Sequence, residues 1–243
     1  MPVTEPAVLA GARVVVTGAS SGIGLATARR LVALGAEVAL VARRAELLAR
    51  EAALLGTRAF AAPCDVSDEE SVHALCAALG ARWPDGVTAL VNNAGRFPLA
   101  TVRDTTPDLF RDTLDTNLVA PFLLARALLP AMLARGTGHL VSVGSIADRT
   151  TFPENGAYAA SKFGARALHE VLRAELRGTG VRATLVSPGP VDTPLWDDVD
   201  PDTRPGFTPR AAMLSPEAVA DAIAYVLTQP PRVNVDELRL SAA

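Results

Sequence analysis

Val14-Val15-Val16-Thr17-Gly18-Ala19-Ser20-Ser21-Gly22-Ile23-Gly24 is the stretch on which the fold turns. Its first four residues are β-branched, the composition of a strand buried on both faces. The glycines that follow permit a sharp reversal and a close backbone approach with no side chain in the way. From Gly22 the pattern becomes helical and stays so to Leu34. A helix starting there presents unpaired N–H groups and a partial positive charge, a good seat for a pyrophosphate. The spacing is Gly-x-x-x-Gly-x-Gly, so Gly18, Gly22 and Gly24, with Ser20, Ser21 and Ile23 between them, are the first candidate ligand contacts.

Strand and helix alternate along the rest of the chain. The strands are expected at Arg13–Thr17, Glu37–Ala42, Arg58–Pro63, Ala89–Asn92, Gly138–Val143, Arg182–Ser187 and Glu237–Ser241. The helices are expected at Gly22–Leu34, Arg44–Leu55, Asp68–Leu79, Pro107–Ala134, Tyr158–Arg177 and Pro216–Thr228. Thr106 and Ser215 each precede a proline suited to a first helical turn, and Ser67 with Glu70 three residues on predicts a capping box. This alternation predicts an α/β fold: a seven-stranded parallel sheet with helices on both faces, in one domain over residues 1–243. Ligands of such sheets bind beyond the carboxyl ends of the strands.

Composition narrows the partners. The net charge is −3 with both signs mixed throughout, which suits neither a nucleic-acid surface nor a polybasic membrane patch. Met1–Gly11 has no charged segment followed by an apolar run, so no signal peptide is expected. The apolar stretch Leu118–Ala134 is broken by Pro121, Arg126 and Pro130 and reads as a buried helix face, not a membrane span. Cys64 and Cys76 have neither metal-site nor disulfide-framework spacing. A cytoplasmic protein without a metal is the expectation.

After the second strand the chain reads Ala42-Arg43-Arg44. An acidic residue there would bind the adenosine ribose hydroxyls and repel a 2′-phosphate. Two guanidiniums instead favour NADP(H), with NAD(H) the alternative.

Tyr158-Ala-Ala-Ser-Lys162 puts a phenol and an ammonium four residues apart, on one helix face. Lys162 is the single lysine among 23 lysines and arginines. A phenol of ordinary pKa near ~10 is a poor base at neutral pH, and a nearby ammonium with a positive nicotinamide would favour the phenolate. Pro121 has no N–H to give the carbonyl of Asn117, which leaves that carbonyl open to a water in mid-helix.

Together these motifs resemble the short-chain dehydrogenase/reductase family over nearly the full length. The resemblance is carried by Thr17–Gly24, by Asn92-Asn93-Ala94-Gly95 after the fourth strand and by Asn117. It extends through Ser145, Tyr158 and Lys162 to Ser187-Pro188-Gly189-Pro190-Val191-Asp192-Thr193. It implies a Rossmann fold and hydride transfer between a nicotinamide and a carbonyl or secondary alcohol. Tyr158 would be the general acid or base, and Ser145 would bond the substrate oxygen. Lys162 would hold the nicotinamide ribose and lower the tyrosine pKa, and Asn117 would support a relay water. Asp65 and Val66 would meet the adenine, while Pro188, Gly189, Val191 and Thr193 would grip the nicotinamide end, with Asn92, Ala94 and Gly95 also on the cofactor.

The resemblance also places the substrate loop at about 190–213, where Trp196 and Phe207 stand among Asp197, Asp198, Asp200 and Asp202. The rings are expected on a pocket wall with Phe97, Leu99, Ile146 and Phe152, and the carboxylates in solvent. The ending Val233–Ser241 lacks the glycine-rich segment of acyl-carrier-protein ketoreductases, which points to small alcohols, ketones or hydroxy acids. Pairing of the two long helices between subunits would give a homo-oligomer, a dimer or a tetramer. A nucleotide sensor without turnover is the rival reading, but it has no need of Asn117, Ser145, Tyr158 and Lys162 together.

Overall fold

The computed structural model describes residues 8–243, so the first part of the Met1–Gly11 reading lies outside the described residues. The elements run β1 (Arg13–Thr17), α1 (Gly22–Ala33), β2 (Glu37–Ala42), α2 (Ala45–Leu55), β3 (Ala59–Pro63), α3 (Glu69–Arg82) and β4 (Ala89–Asn92). There follow α4 (Pro107–Leu114), α5 (Ala120–Arg135), β5 (Gly138–Val143), α6 (Gly156–Glu175), β6 (Val181–Pro188), α7 (Pro216–Leu227) and β7 (Glu237–Leu240). Seven parallel strands form one sheet in the order β3-β2-β1-β4-β5-β6-β7.

The middles of the central strands are apolar because the sheet is covered on both faces. In β1, Val14 and Val16 face one core with Leu31 of α1, Leu48 of α2 and Ile223 of α7. Val15, between them, faces the other with Leu79 of α3 and Leu124 and Met132 of α5. Each such aliphatic side chain, fully buried, contributes about 1.5–3 kcal/mol. Val16 pairs with Leu40 of β2 and with Val91 of β4, which levels the strand ends. The strand order reverses between β1 and β4, so a crevice opens above their carboxyl ends.

Three local features depart from expectation. The cap of α3 is Asp68, whose carboxylate accepts from Ser71 N at 2.8 Å. Ser67 does not build the predicted box, because its N–H and hydroxyl both bond Asp65 Oδ1, at 3.1 and 2.6 Å. The long helix at 107–134 is interrupted by a π turn, Asp115–Val119, in which Ala120 N–H reaches back to the Asp115 carbonyl. Pro121, which can donate to no carbonyl, follows directly, and the ladder widens where its bond would have fallen. Finally, α6 starts at Gly156, two residues before Tyr158.

By length and composition the span Pro107–Arg135 is apolar enough to cross a membrane. Its inner face is committed to the core through Leu124, Leu128 and Met132, while Phe122 and Leu133 lie exposed on the outer face. Cys64 and Cys76 are free thiols. Among the described residues no cluster of His, Cys, Asp and Glu is built to hold a metal.

Candidate active site

A cleft of about 1210 Å³ runs along the carboxyl edge of the sheet, from the ends of β2 and β3 to the loop after β6. Its back wall is the turn between β1 and α1. Gly18 sits at φ +66°, and a Cβ there would lie 2.8 Å from Asn93 Nδ2. Gly22 sits at φ +52°, and a Cβ there would lie 3.0 Å from Thr193 Cγ2. Both positions therefore require glycine. Gly24 does not line the cleft; a Cβ on it would strike the Gly18 carbonyl at 2.4 Å, so its bareness lets α1 seat against the turn.

The turn is tied to β4 by polar bonds. Thr17 Oγ1 accepts from Asn93 N and Ala94 N, each at 3.0 Å, and Asn93 Nδ2 donates to the Thr17 carbonyl at 2.9 Å. Ala94 and Gly95 reach the cleft, as does Asn93, whereas Asn92 lies behind it. Ser21 caps α1 through extended backbone while its side chain makes no cap bond. Arg43 and Arg44 border the cleft, and Arg44 Nη2 donates to Ser20 Oγ at 2.9 Å. Asp65 and Val66 also line it, and the bond from Ser67 holds the Asp65 carboxyl below its usual range. A glycine-backed trough, a helix N-terminus and two guanidiniums fit an elongated, phosphate-bearing dinucleotide.

At the other end stand Ser145, Tyr158 and Lys162, all lining the same cleft. Lys162 is buried, its Nζ donates to the Val143 carbonyl at 3.0 Å, and it lies 5.7 Å from the Tyr158 ring centroid. Burial pulls the ammonium down to about 8, against the opposing charge of Asp148. Tyr158 is half-buried by its surface, yet the atoms packed around it push the phenol up to about 12; Ser145 lowers it and Asp148 raises it further. Burial is the largest cause of that rise, and it acts against the phenolate that oxidation needs. Ser145 begins a short 3-10 turn, Ile146–Asp148, and its Oγ accepts from Ala147 N at 3.1 Å. Its hydroxyl also bonds the Tyr158 side chain, which is how it lowers the phenol.

Asn117 does not line the cleft. Its side chain accepts from Arg96 N at 2.9 Å and donates to the Arg96 carbonyl at 3.0 Å and to Ser161 Oγ at 2.9 Å. It thereby pins the segment after β4 to α6. A small cavity of about 20 Å³ lies behind the cleft between Asn117, Asn92, Lys162 and Asp148, and Asn92 Oδ1 is buried without a partner. That volume is about what one water requires.

Pro188, Gly189, Val191 and Thr193 line the cleft after β6, and this end of the cleft is walled by aromatic rings. Phe97 meets Tyr158 edge-on at 4.7 Å between centroids and Trp196 at 5.0 Å; Trp196 meets Phe207 at 6.2 Å. Leu99, Ile146 and Phe152 also border it, while Asp197, Asp198, Asp200 and Asp202 are exposed. Sequence reasoning passed over Arg204, which pairs with Glu154 at 2.6 Å across the cleft mouth and stacks on Phe207. It also passed over Asp148. The spacing Ser145-x-x-Asp148 is a capping-box signature and was the available signal.

Comparison with known proteins bears on this geometry. The short chain dehydrogenase family matches residues 12–204. Glycine betaine reductase ATRR of Emericella nidulans is 38% identical over 95% of this chain, which spans only 18% of that relative's length. A metagenomic short-chain oxidoreductase solved in complex with NADP shares 32% identity, covers 97% of this chain and 99% of its own, and superposes with a TM-score of 0.84. An actinorhodin polyketide ketoreductase variant solved with NADPH shares 32% identity over 95% of this chain and 96% of its own, with a TM-score of 0.87.

Proposed function

This chain belongs to the short-chain dehydrogenase family, and from that premise we propose an NADP(H)-dependent oxidoreductase acting on a carbonyl compound or the matching secondary alcohol. The observation that carries the reading is the convergence of Ser145, Tyr158 and Lys162 on one end of a cleft whose other end is a glycine-backed, arginine-edged trough. Gly18, Gly22 and the N-terminus of α1 would hold the pyrophosphate, and Arg43 and Arg44 the additional phosphate. The relatives solved with NADP and NADPH support the choice of nucleotide.

A bound nicotinamide supplies or takes up the hydride. Reduction also needs a proton at the carbonyl oxygen, and Tyr158, which lines the cleft, would be its donor. The Ser145 hydroxyl donates to the same oxygen and stabilises the charge that develops there. A phenol pushed up to about 12 is protonated near neutral pH, so it carries the proton that reduction needs, but almost none of it is the phenolate that oxidation needs as a base. Oxidation therefore depends on positive charge beside it, and Lys162 contributes that charge. The small cavity between Lys162 and Asn117 is of a size to hold one water, from which the lysine would be reprotonated. The aromatic wall of Phe97, Trp196 and Phe207 suits an apolar substituent on the carbonyl carbon.

Homo-oligomerisation, to a dimer or tetramer, goes with this reading. Phe122 and Leu133 of α5 and Phe163 and Val171 of α6 are exposed apolar side chains on neighbouring helices. So do a small-molecule partner and a cytoplasmic location.

The test is oxidation of NADPH and NADH in the presence of aldehydes, ketones and keto esters. A quaternary-ammonium aldehyde belongs in the panel, since one relative is named for glycine betaine and aromatic faces attract such cations. Turnover favouring NADPH is expected. Equal use of both nucleotides would remove the cofactor preference, and tight NADPH binding without turnover on any carbonyl would replace the enzyme by a sensor.

A further inference from the structure

Asp148 is a carboxylate with no exposed side-chain surface, placed one turn from Ser145. Burying such a charge is costly unless it is paired and hydrogen-bonded. Here Oδ1 accepts from Arg149 Nε at 2.7 Å, with Arg166 Nη1 of α6 at 3.9 Å. Oδ2 accepts from Ser187 Oγ at 2.5 Å and from Ser145 N at 3.4 Å. The bond to Ser187 crosses from the turn after β5 to the end of β6, directly before Pro188 and Gly189 on the cleft. Gly144 makes room for it: a Cβ there would lie 2.6 Å from both Asp148 Oδ2 and Ser187 Oγ.

We propose that Asp148 is a positioning residue of this site, locking the Ser145 turn onto the end of β6 and setting a buried negative charge beside the Lys162 ammonium. The proposal rests on the Tyr158–Lys162 reading given above. The charged groups around the carboxylate are Lys162 and Arg166 from α6 and Arg149 beside it. Glu237 of β7 reaches Arg149, and Glu170 of α6 holds Arg166 from outside. The Asp148 charge raises the titration of both Tyr158 and Lys162. Its removal therefore lets Lys162 lose its proton at lower pH, and the phenol likewise.

Because Lys162 is the single lysine, side-chain labelling of lysine gives one NMR signal whose titration is read directly, with neither cofactor nor substrate. Asp148→Asn keeps an acceptor for Ser187 but removes the charge, and its Lys162 midpoint is expected to fall by about one pH unit. Asp148→Ala removes the tether as well, and kcat is expected to fall about ten- to a hundredfold with KM changed much less. Ser187→Ala, a second route should the buried substitutions unfold the chain, cuts the tether alone. It is expected to lower kcat without moving the lysine midpoint. A carboxylate that only stabilises the fold would lower the melting temperature and leave the midpoint where it was. An unmoved midpoint in Asp148→Asn, or undiminished kcat in Ser187→Ala, overturns the proposal. Absence of turnover in the unaltered protein would count against the oxidoreductase reading instead, with the lysine titration still deciding the role of Asp148.

Discussion

On the proposed function, Arg44 would read the phosphate that distinguishes NADPH from NADH. Its guanidinium bonds Ser20 in the glycine turn, so it is already oriented toward the trough. Arg44→Ala should weaken NADPH about tenfold or more, the loss of one charge-assisted hydrogen bond, while NADH binding is little changed. Titration of both nucleotides by fluorescence checks this; equal weakening of the two would mean that Arg44 shapes the turn without reading the phosphate. The four-residue step from Tyr158 to Lys162 was legible because a helix fixes what that spacing means. Asp148 was not, because its partner Ser187 lies 39 residues away on another strand. The burial of the tyrosine was not legible for a similar reason. Proximity to Lys162 can be read from spacing, but the burial that dominates it cannot.

Among the elements, the strands fell where β-branched runs stand between turn residues, and β1, β2, β4 and β5 match residue for residue. Helix ends were less legible, since Asp65 captures Ser67 and leaves capping of α3 to Asp68. Pro121 was read as freeing one carbonyl within a single helix, not as dividing that helix by a π turn into α4 and α5. The turns into β5 and β6 meet at two glycines. Gly136 closes α5 at φ +65°, and Gly180 lies at φ +82° with a Cβ position only 2.0 Å from the Gly136 carbonyl. Gly180→Ala combines a left-handed backbone with that clash and should destabilise the fold by about 2–3 kcal/mol. Urea denaturation measures it; a midpoint like that of the unaltered chain would show that the two turns can part freely.

For the molecule as a whole, two buried histidines set the response to acid. His139, bonded to Thr184 at 2.8 Å, is pulled down to about 3, and His169, bonded to Ser142 at 3.1 Å, to about 4, in both cases chiefly by burial. Both titrate near their ordinary value of 6.5 once unfolded, so below that pH the unfolded chain binds more protons than the folded one. Stability is therefore fully present above about pH 6.5 and should fall by about 1.4 kcal/mol per pH unit for each histidine as pH drops toward the depressed values. Urea midpoints at pH 7, 6 and 5 check the slope, and constant midpoints would contradict it. The parallel direction of the seven strands was readable because only a parallel sheet absorbs such alternation, whereas their order is set by packing between distant segments. The pairing of Arg204 with Glu154 was not, since it depends on how a long loop folds back over the cleft.

On the proposed function Tyr158 moves the proton, and this is tested by comparing NADPH oxidation by the unaltered chain and by Tyr158→Phe on the best carbonyl substrate, with NADPH affinity measured for both. Turnover should fall by roughly a hundred- to ten-thousandfold while affinity is retained, since only the acidic hydroxyl is lost. Turnover that survives in the phenylalanine variant would contradict it and assign the proton to another group.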